Sequence, residues 1–567
     1  MYCSVSSTIK PKANVLIEVS YEIVAKLGGI HTVIKTKAPL MKDYYGDNYF
    51  VVGLYREKPA RELFKSEKPP KEMADLFRQL KKEKIICHYG RWLVKSTPKA
   101  ILIDISKFMK DQTTRDIIRK DYWINFLRKA SLYNESILFS YAAGRLICDL
   151  LKLRMFKRKK TVINLHEYMT GVTLFYLRKH KCDVPVVFTT HATVLGRAIA
   201  YSGKDLYARI KATKDKASIV KLYLDSFGNE IYNKHLHEKA CVRKADVFTS
   251  VSEVTSSEAE FFHGKRADII TPNGLEIIKH PTIEKQLAVN YKSRKRIYKF
   301  LKYYFSPYHP VKVSDSLLFY TAGRDEIYTK GYDLFFKALR ILNKKLIKEK
   351  FDKNIFVFLF IMIKNQKIRK DIIKNIINFR KHRRVGNFSK NPPNSAFKTK
   401  KDHTLMLFLR KNKLLNKESD KVKVIFYPAP VDDNDKLLSM PYDDIIAGMH
   451  LGIFPSLYEP WGYTPLETAA MSTISITTDV SGFGKFIEKK TDQRKIPGII
   501  VLRTKGRDKN QISERLARIM HEIAYMTKEK IIEKRIEANK LARLANWGDF
   551  SKEYIKAHNL AVKKHKK

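Results

Sequence analysis

Short, nearly uninterrupted runs of β-branched and aromatic residues recur along this chain, at spacings that leave room for a helix between one run and the next. In the first half they read NVLIEV from Asn14, FVVG from Phe50, AILIDI from Ala100, TVINL from Thr161, VVFTT from Val186 and VFTSV from Val247. The pattern restarts with LLFYTAG from Leu317, IFVFLFIMI from Ile355, VKVIFYP from Val422, LGIFP from Leu451, ISITT from Ile474 and GIIV from Gly498. A strand that is apolar on both faces has to be covered on both faces, as parallel sheets are. The pattern therefore predicts two successive α/β halves, each a parallel sheet flanked by helices. The break between them falls in the basic and aromatic stretch Pro272 to His309. Doubly wound sheets take ligands at the carboxyl ends of their strands, so the chemistry is expected in a cleft between the halves.

The 567 residues carry 110 Lys+Arg against 58 Asp+Glu, a net charge of +52, yet 44% are hydrophobic and 11% aromatic. That apolar content excludes a disordered polycation. The charge admits two readings, a phosphate-binding surface or lysines spread over solvated faces. The basic residues are distributed and accompany no nucleic-acid motif, so no specific nucleic-acid partner is expected. Cys3, Cys87, Cys148, Cys182 and Cys241 are scattered, odd in number and free of any Cys-x-x-Cys pair, which argues against a disulfide framework or a zinc site and for a reducing compartment. The apolar run Ile355 to Ile363 is too short to cross a bilayer, and MYCSVSSTIKPK lacks the apolar core of a signal peptide. A cytoplasmic protein without membrane attachment is expected. Lys364 to Lys401 holds thirteen basic residues and one acid, with Ile368, Ile372, Ile376 and Phe379 on one helical stripe. It predicts an amphipathic helix projecting from the second half, in a helical insertion spanning about 364–420. Ile512, Leu516, Ile519 and Ile523 keep helical spacing further on. The expected domains are 1–275, 276–525, and C-terminal helices over 526–567 returning towards the first.

Four strand ends carry residues suited to chemistry. Lys26, Gly28 and Gly29 follow the opening strand and precede a helical segment, either a phosphate-binding turn or merely a tight one. His191 and Arg197 follow VVFTT, where an imidazole can bond a sugar hydroxyl and a guanidinium can clamp a phosphate; His166-Glu167 ends TVINL in the same fashion. Arg324 and Lys330 lie in TAGRDEIYTKG, two cations able to converge on one diphosphate. Glu459 and Glu467 bracket Pro460, Trp461, Gly462, Tyr463 and Thr464 after LGIFP, with Glu459 facing the cleft and Glu467 within reach of a ribose hydroxyl.

At these motifs the chain resembles the eukaryotic-type glycogen synthases, retaining glycosyltransferases of the double-Rossmann GT-B class. EVSYEIVAKLGGIHTVIKTKA, HEYMTG, TTHATVLGR, ITPNGLEI, YTAGRDEIYTKGYDLF, FPSLYEPWGYTPLETAAMS, VSGFGKF and ANWGDFSKEYIKAHNLA stand in the family's order over nearly the whole length. The resemblance implies glucose transfer from UDP-glucose to the non-reducing end of an α-1,4-glucan with retention. It makes Arg324 and Lys330 the cations on the donor diphosphate, Glu459 the glutamate beside the transferred glucose, Glu467 the ribose ligand and Tyr442 the aromatic stacked on uracil. It gives His191 and Arg197 to the reacting sugar and phosphate, Glu167 to the family's His-Glu motif, and Lys26, Gly28 and Gly29 to the phosphate-side loop. With two fixed cations at the leaving group no metal and no cofactor is expected. A glycogenin-like primer protein and a homotetramer built on the Lys364–Lys401 insertion are further expectations.

The chain departs from the family in its regulatory helix. Where animal and fungal members carry clustered arginines, it has Lys528, Lys530, Lys534 and Arg535 interleaved with Glu529, Glu533 and Glu537, and Asn290 stands where the family has a histidine. Lysines beside acids hold phosphate more weakly than planar arginine forks do. Activation by glucose 6-phosphate is therefore expected to be weakened or lost.

Overall fold

The computed structural model describes residues 9–25, 28–128, 130–212, 215–276, 282–363, 367–382, 391–398, 403–429, 431 and 437–565. The chain divides into two units, one of Met1–Ile199, Arg209–Glu276 and Ala545–Lys567, the other of Ala200–Ala208 and Ile277–Leu544.

In the first unit the strands are β1 (Val15–Val19), β2 (Tyr49–Leu54), β3 (Phe64–Ser66), β4 (Ile86–Trp92), β5 (Lys99–Asp104), β6 (Thr161–His166), β7 (Val186–Thr190), β8 (Val247–Ser250) and β9 (Ile269–Ile270). They form one sheet in the order β3-β4-β5-β2-β1-β6-β7-β8-β9. From β5 to β9 all pairings are parallel, whereas β4 runs antiparallel to both β3 and β5. The second unit holds β10 (Leu317–Arg324), β11 (Ile355–Met362), β12 (Val422–Phe426), β13 (Leu451–Ile453), β14 (Ile474–Thr478) and β15 (Ile499–Leu502). Their order, β12-β11-β10-β13-β14-β15, reverses direction at β10, and every pairing is parallel. This is the doubly wound order, with a switch point beside the first strand.

The continuous apolar runs have a direct cause. Successive side chains of a strand point to opposite faces. In β10, Leu317 and Phe319 enter the core on one side of the sheet, with the helices Tyr332–Lys348 and Lys509–Ala524, while Leu318 and Tyr320 enter the core on the other, with Ile283–Phe305 and Tyr442–Gly448. β11 divides likewise, with Ile355, Val357, Leu359 and Ile361 on one face and Phe356, Phe358 and Phe360 on the other. Each such side chain contributes roughly 1.5–3 kcal/mol on burial, so a polar residue on either face needs a partner that satisfies it.

The structure corrects several expectations. The helix Lys528–Ala542 belongs to the second unit, and only Trp547–His565 joins the first. Within the basic segment, the helix Lys370–His382 does not simply project: Ile372 and Ile376 enter the second unit's core, and Phe379 meets Tyr303 of the helix Ile283–Phe305 edge-on at 6.2 Å. Cys148 and Cys182 form a disulfide, contrary to the reading that scattered cysteines stay apart. The helix ending at Leu150 packs beside the helix Gly171–Lys179, which brings two residues 34 positions apart within 6.0 Å, Cα to Cα. Among the described residues no helix is long and apolar enough to cross a membrane.

Candidate active site

In the second unit the site is built where β10 and β13 run out. β10 is buried from Leu317 to Thr321 and ends at the exposed Arg324. The turn that follows is organised by Glu326: its peptide oxygen accepts from Lys330 N at 3.0 Å, its carboxylate from Thr329 Oγ1 at 2.8 Å, and the same side chain lies 3.0 Å from Arg324 Nε. Gly331 then sits at φ +66°, where a Cβ would come within 2.1 Å of the Pro455 carbonyl oxygen. Only glycine lets this turn pass so close to the loop after β13. Leu457 N and Tyr458 N donate to Thr329 O at 2.8 and 3.2 Å, tying the two loops together.

The consequence is an ion pair between residues 129 positions apart: Lys330 Nζ lies 2.5 Å from Glu459 Oε2. Their side chains are only 16% and 22% exposed, so the charges feel each other in a partly water-excluded site. Glu459 itself is held by its backbone, its peptide oxygen accepting from Gly482 N at 3.0 Å. Gly462, at φ +113°, turns the chain into the helix Tyr463–Ala470, whose first turn has no capping side chain and no acid. Its first N–H groups and positive dipole end suit an anion. Lys330, Glu459, Thr464, Ser456, Thr321 and Tyr332 line one small pocket. The Thr321 and Tyr332 hydroxyls in it are buried and have no hydrogen-bond partner among the described residues, the signature of groups reserved for a ligand. Glu467 occupies the next turn of the helix. Burial, and after it the Glu467 carboxylate, holds the Tyr442 phenol above its ordinary range, so these two side chains share one neighbourhood. The Tyr442 ring packs edge-on against Phe360 at 6.3 Å.

In the first unit the strand ends carry a chain of buried polar groups. Lys37 Nζ donates to Glu18 Oε1 at 2.5 Å, His166 Nε2 lies 2.7 Å from the same oxygen, and Tyr49 donates to Glu18 Oε2 at 2.5 Å. His166 Nδ1 is 2.9 Å from His191 Nε2. Burial keeps both imidazoles neutral, with pKa values below the ordinary range. A neutral His166 that donates to Glu18 through Nε2 must accept at Nδ1, so His191 donates through Nε2 and keeps Nδ1 as an acceptor. Glu18 thereby sets the tautomer of His191 through one intervening ring. Glu167 takes φ +68° at the turn after β6, and its Oε1 accepts from His191 N at 2.8 Å and Ala192 N at 3.1 Å. Glu238 does the same for Val194 N at 3.0 Å. Burial, helped for Glu167 by the Glu238 charge, raises both carboxyls to about 8, while Arg197 pulls in the opposite direction. Gly28 N donates to Glu22 Oε2 at 2.8 Å ahead of the uncapped helix Ile30–Tyr45. Lys26 lies outside the described residues.

A glycogen synthase family model matches residues 18–388 and 390–566. The chain belongs to the glycogen synthase family. A glycogen [starch] synthase of Neurospora crassa is 29% identical over 98% of this chain and 84% of its own length. Among solved structures, a UDP-forming α,α-trehalose-phosphate synthase of Burkholderia vietnamiensis superposes with TM-score 0.53 at 10% identity, covering 96% of this chain and 99% of that one. The catalytic domain of starch synthase IV from Arabidopsis thaliana, bound to ADP and acarbose, gives 0.52 at 13% identity, covering 98% and 99%. These likenesses identify the GT-B fold, two parallel-sheet domains in one chain.

Within this glycogen synthase fold, the second unit brings Lys330, Glu459 and Thr464 to one pocket, with Arg324 joined to the same turn through Glu326. The first unit brings Glu167, His191 and Arg197 together. The Trp461 indole is 4% exposed and packs against Phe483 and Phe486. One residue is placed otherwise than the family resemblance implies. Arg535 is 1% exposed and donates to Met449 O at 2.6 Å and Ala447 O at 2.8 Å; with the Asn290 amide turned to satisfy both its groups, that oxygen accepts from Arg535 as well. It is a buried strut instead of part of an exposed cationic face. Lys528, Lys530 and Lys534 are paired with Asp315, Glu533 and Glu537. Sequence reasoning missed Glu18, Glu22, Glu238 and Glu326. An acid embedded in an otherwise apolar strand, as Glu18 is, was the available signal.

Proposed function

We propose that this chain transfers glucose from UDP-glucose to the non-reducing end of an α-1,4-glucan with retention, and that Arg324 and Lys330 draw off the charge of the departing UDP. The observation that carries the assignment is the Lys330–Glu459 pair at the ends of β10 and β13, beside a helix N-terminus and two hydroxyls without a partner among the described residues. As the glycosidic bond to UDP breaks, positive charge grows on the sugar and negative charge on the β-phosphate; a fixed ammonium and carboxylate side by side are complementary to that dipole. In this reading Glu459 faces the sugar, Glu467 the ribose, Tyr442 the uracil, and the Gly28–Gly29 loop, Glu167, Arg197 and His191 serve the phosphate and the sugar hydroxyls. The two cations stand in for a metal in the transfer. The proposed setting is the cytoplasm, with a glycogenin-like primer and a homotetramer as partners.

The four pairings of Lys528, Lys530, Lys534 and Arg535 support weak or absent activation by glucose 6-phosphate. The test is transfer of labelled glucose from UDP-glucose to glycogen, with and without that effector, alongside R324A and E459Q. Each substitution lowers turnover by at least about a hundredfold, as loss of a transition-state contact does. Near-normal turnover in both removes the site assignment, and several-fold stimulation removes the regulatory one.

A further inference from the structure

The first unit contains a second cluster of buried titratable side chains, joined to the candidate site through Glu238. His235 and Glu238 stand three positions apart in the last turns of the helix Lys216–Lys244, a spacing that puts both on one helix face. His263 closes the helix Glu253–His263, just before Gly264 turns the chain away at φ +74°. Each of the three offers a ligand atom within 4.8 Å of the other two. All are at most 1% exposed. His263 Nε2 lies 2.9 Å from Glu238 Oε2, yet His235 Nδ1, His263 Nδ1 and Glu238 Oε1 have no hydrogen-bond partner among the described residues. Three orphaned lone-pair or N–H groups in one dry spot carry a desolvation penalty that neither ring nor carboxylate relieves for the others.

We propose that His235, Glu238 and His263 bind one zinc ion, a structural site that braces the segment carrying His191 and Arg197. Two imidazoles and a carboxylate are the donor set of zinc centres that keep a fourth position for water; here all three residues are at most 1% exposed, so the ion would brace the fold instead of meeting a substrate. Around zinc, ligand atoms stand about 3.4 Å apart, given bonds of roughly 2.1 Å, so the widest separation, within 4.8 Å, has to close while the His263–Glu238 pair at 2.9 Å opens slightly. Burial already holds both histidines in the neutral form that ligates, down to about 3. The link to the loop is direct, because Glu238 Oε2 accepts from Val194 N at the start of the helix Val194–Tyr201. Holding Glu238 ionised and fixed holds that helix start, and with it the segment whose other end Glu167 grips at His191 N.

The experiment uses the full chain, stripped with chelator, mixed with zinc chloride and passed through a desalting column. About one zinc per chain is retained, the melting temperature rises with zinc and falls again with chelator, and H235F/H263L lowers retained zinc at least tenfold and abolishes the shift. His237, which stacks on Tyr133 instead of facing the cluster, serves as control: H237F keeps the metal. Cobalt(II) in the unmutated chain reports coordination even where the double variant fails to fold, and gives the intense visible bands of a four-coordinate site. Zinc at background level, equal retention in the folded double variant, or a weak six-coordinate cobalt spectrum overturns the proposal.

Discussion

Replacing Lys330 with methionine keeps most of the side chain's apolar stem and removes its charge, which makes it the sharpest probe of the proposed transfer. The ammonium lies 2.5 Å from Glu459 Oε2, with the two side chains 16% and 22% exposed. An ammonium about 4 Å from a developing phosphate charge, at the effective dielectric of about 20 that suits such a partly buried site, is worth about 4 kcal/mol. That converts to about a thousandfold in rate, and residual solvent screening lowers the expectation to between a hundredfold and a thousandfold, roughly. The folded state loses far less. Ser456 Oγ still reaches the same carboxylate oxygen at 3.4 Å, and a partly exposed pair contributes about 1 kcal/mol or less. Initial rates of glucose transfer at saturating UDP-glucose, read beside a thermal melt, separate the two effects: K330M shows a large fall in kcat with a melting temperature close to the parent's. Because Lys330 and Glu459 act as one unit, K330M/E459Q is less impaired than the product of the single effects. A kcat within tenfold of the parent's at unchanged stability refutes the electrostatic argument.

Three further outcomes follow from the geometry. Glu18→Gln strands the fully buried Lys37 charge, since Glu18 Oε1 is its ion-pair partner, and costs about 3–5 kcal/mol in urea unfolding of the first unit; a loss below about 1 kcal/mol contradicts the buried-pair reading. Gly331→Ala forces a Cβ against Pro455 O; the Lys330 turn shifts, and activity falls more steeply than stability, whereas parental activity contradicts it. The pH dependence has a maximum. Burial lowers His235, His263 and His558 to about 3, so below 6.5 the unfolded chain binds protons that the folded chain does not, and stability is lost as pH falls, by about 1.4 kcal/mol per pH unit per histidine. Glu167 and Glu238, raised to about 8, act in the opposite sense: their contribution is complete below 4.5 and lost as pH rises towards 8. In metal-free protein the melting temperature therefore peaks near pH 6.5, and a profile flat from pH 5 to 8 contradicts the neutral-histidine reading.

Sequence alone determined the two α/β halves, because a strand buried on both faces of a parallel sheet is apolar at most of its positions, and that leaves short, near-continuous apolar runs at regular spacing. Twelve strands were legible in this way. β3, β4 and β9 were not: β4, Ile-Cys-His-Tyr-Gly-Arg-Trp, is an antiparallel strand with mixed exposure, and β9 has only two residues. The site was legible where a motif sits at a strand's carboxyl end, as with Arg324, Lys330, His191 and Glu459, since backbone position alone aims those residues. Tertiary structure decided the rest. Glu18 meets His166 across 148 positions, Lys330 meets Glu459 across 129, Cys148 meets Cys182, and Arg535 turns inward to cap carbonyl groups 86 and 88 positions away. Periodicity records which face of an element is dry, but a buried polar group is defined by the partner that satisfies it, and that partner comes from whichever distant segment the fold happens to bring alongside.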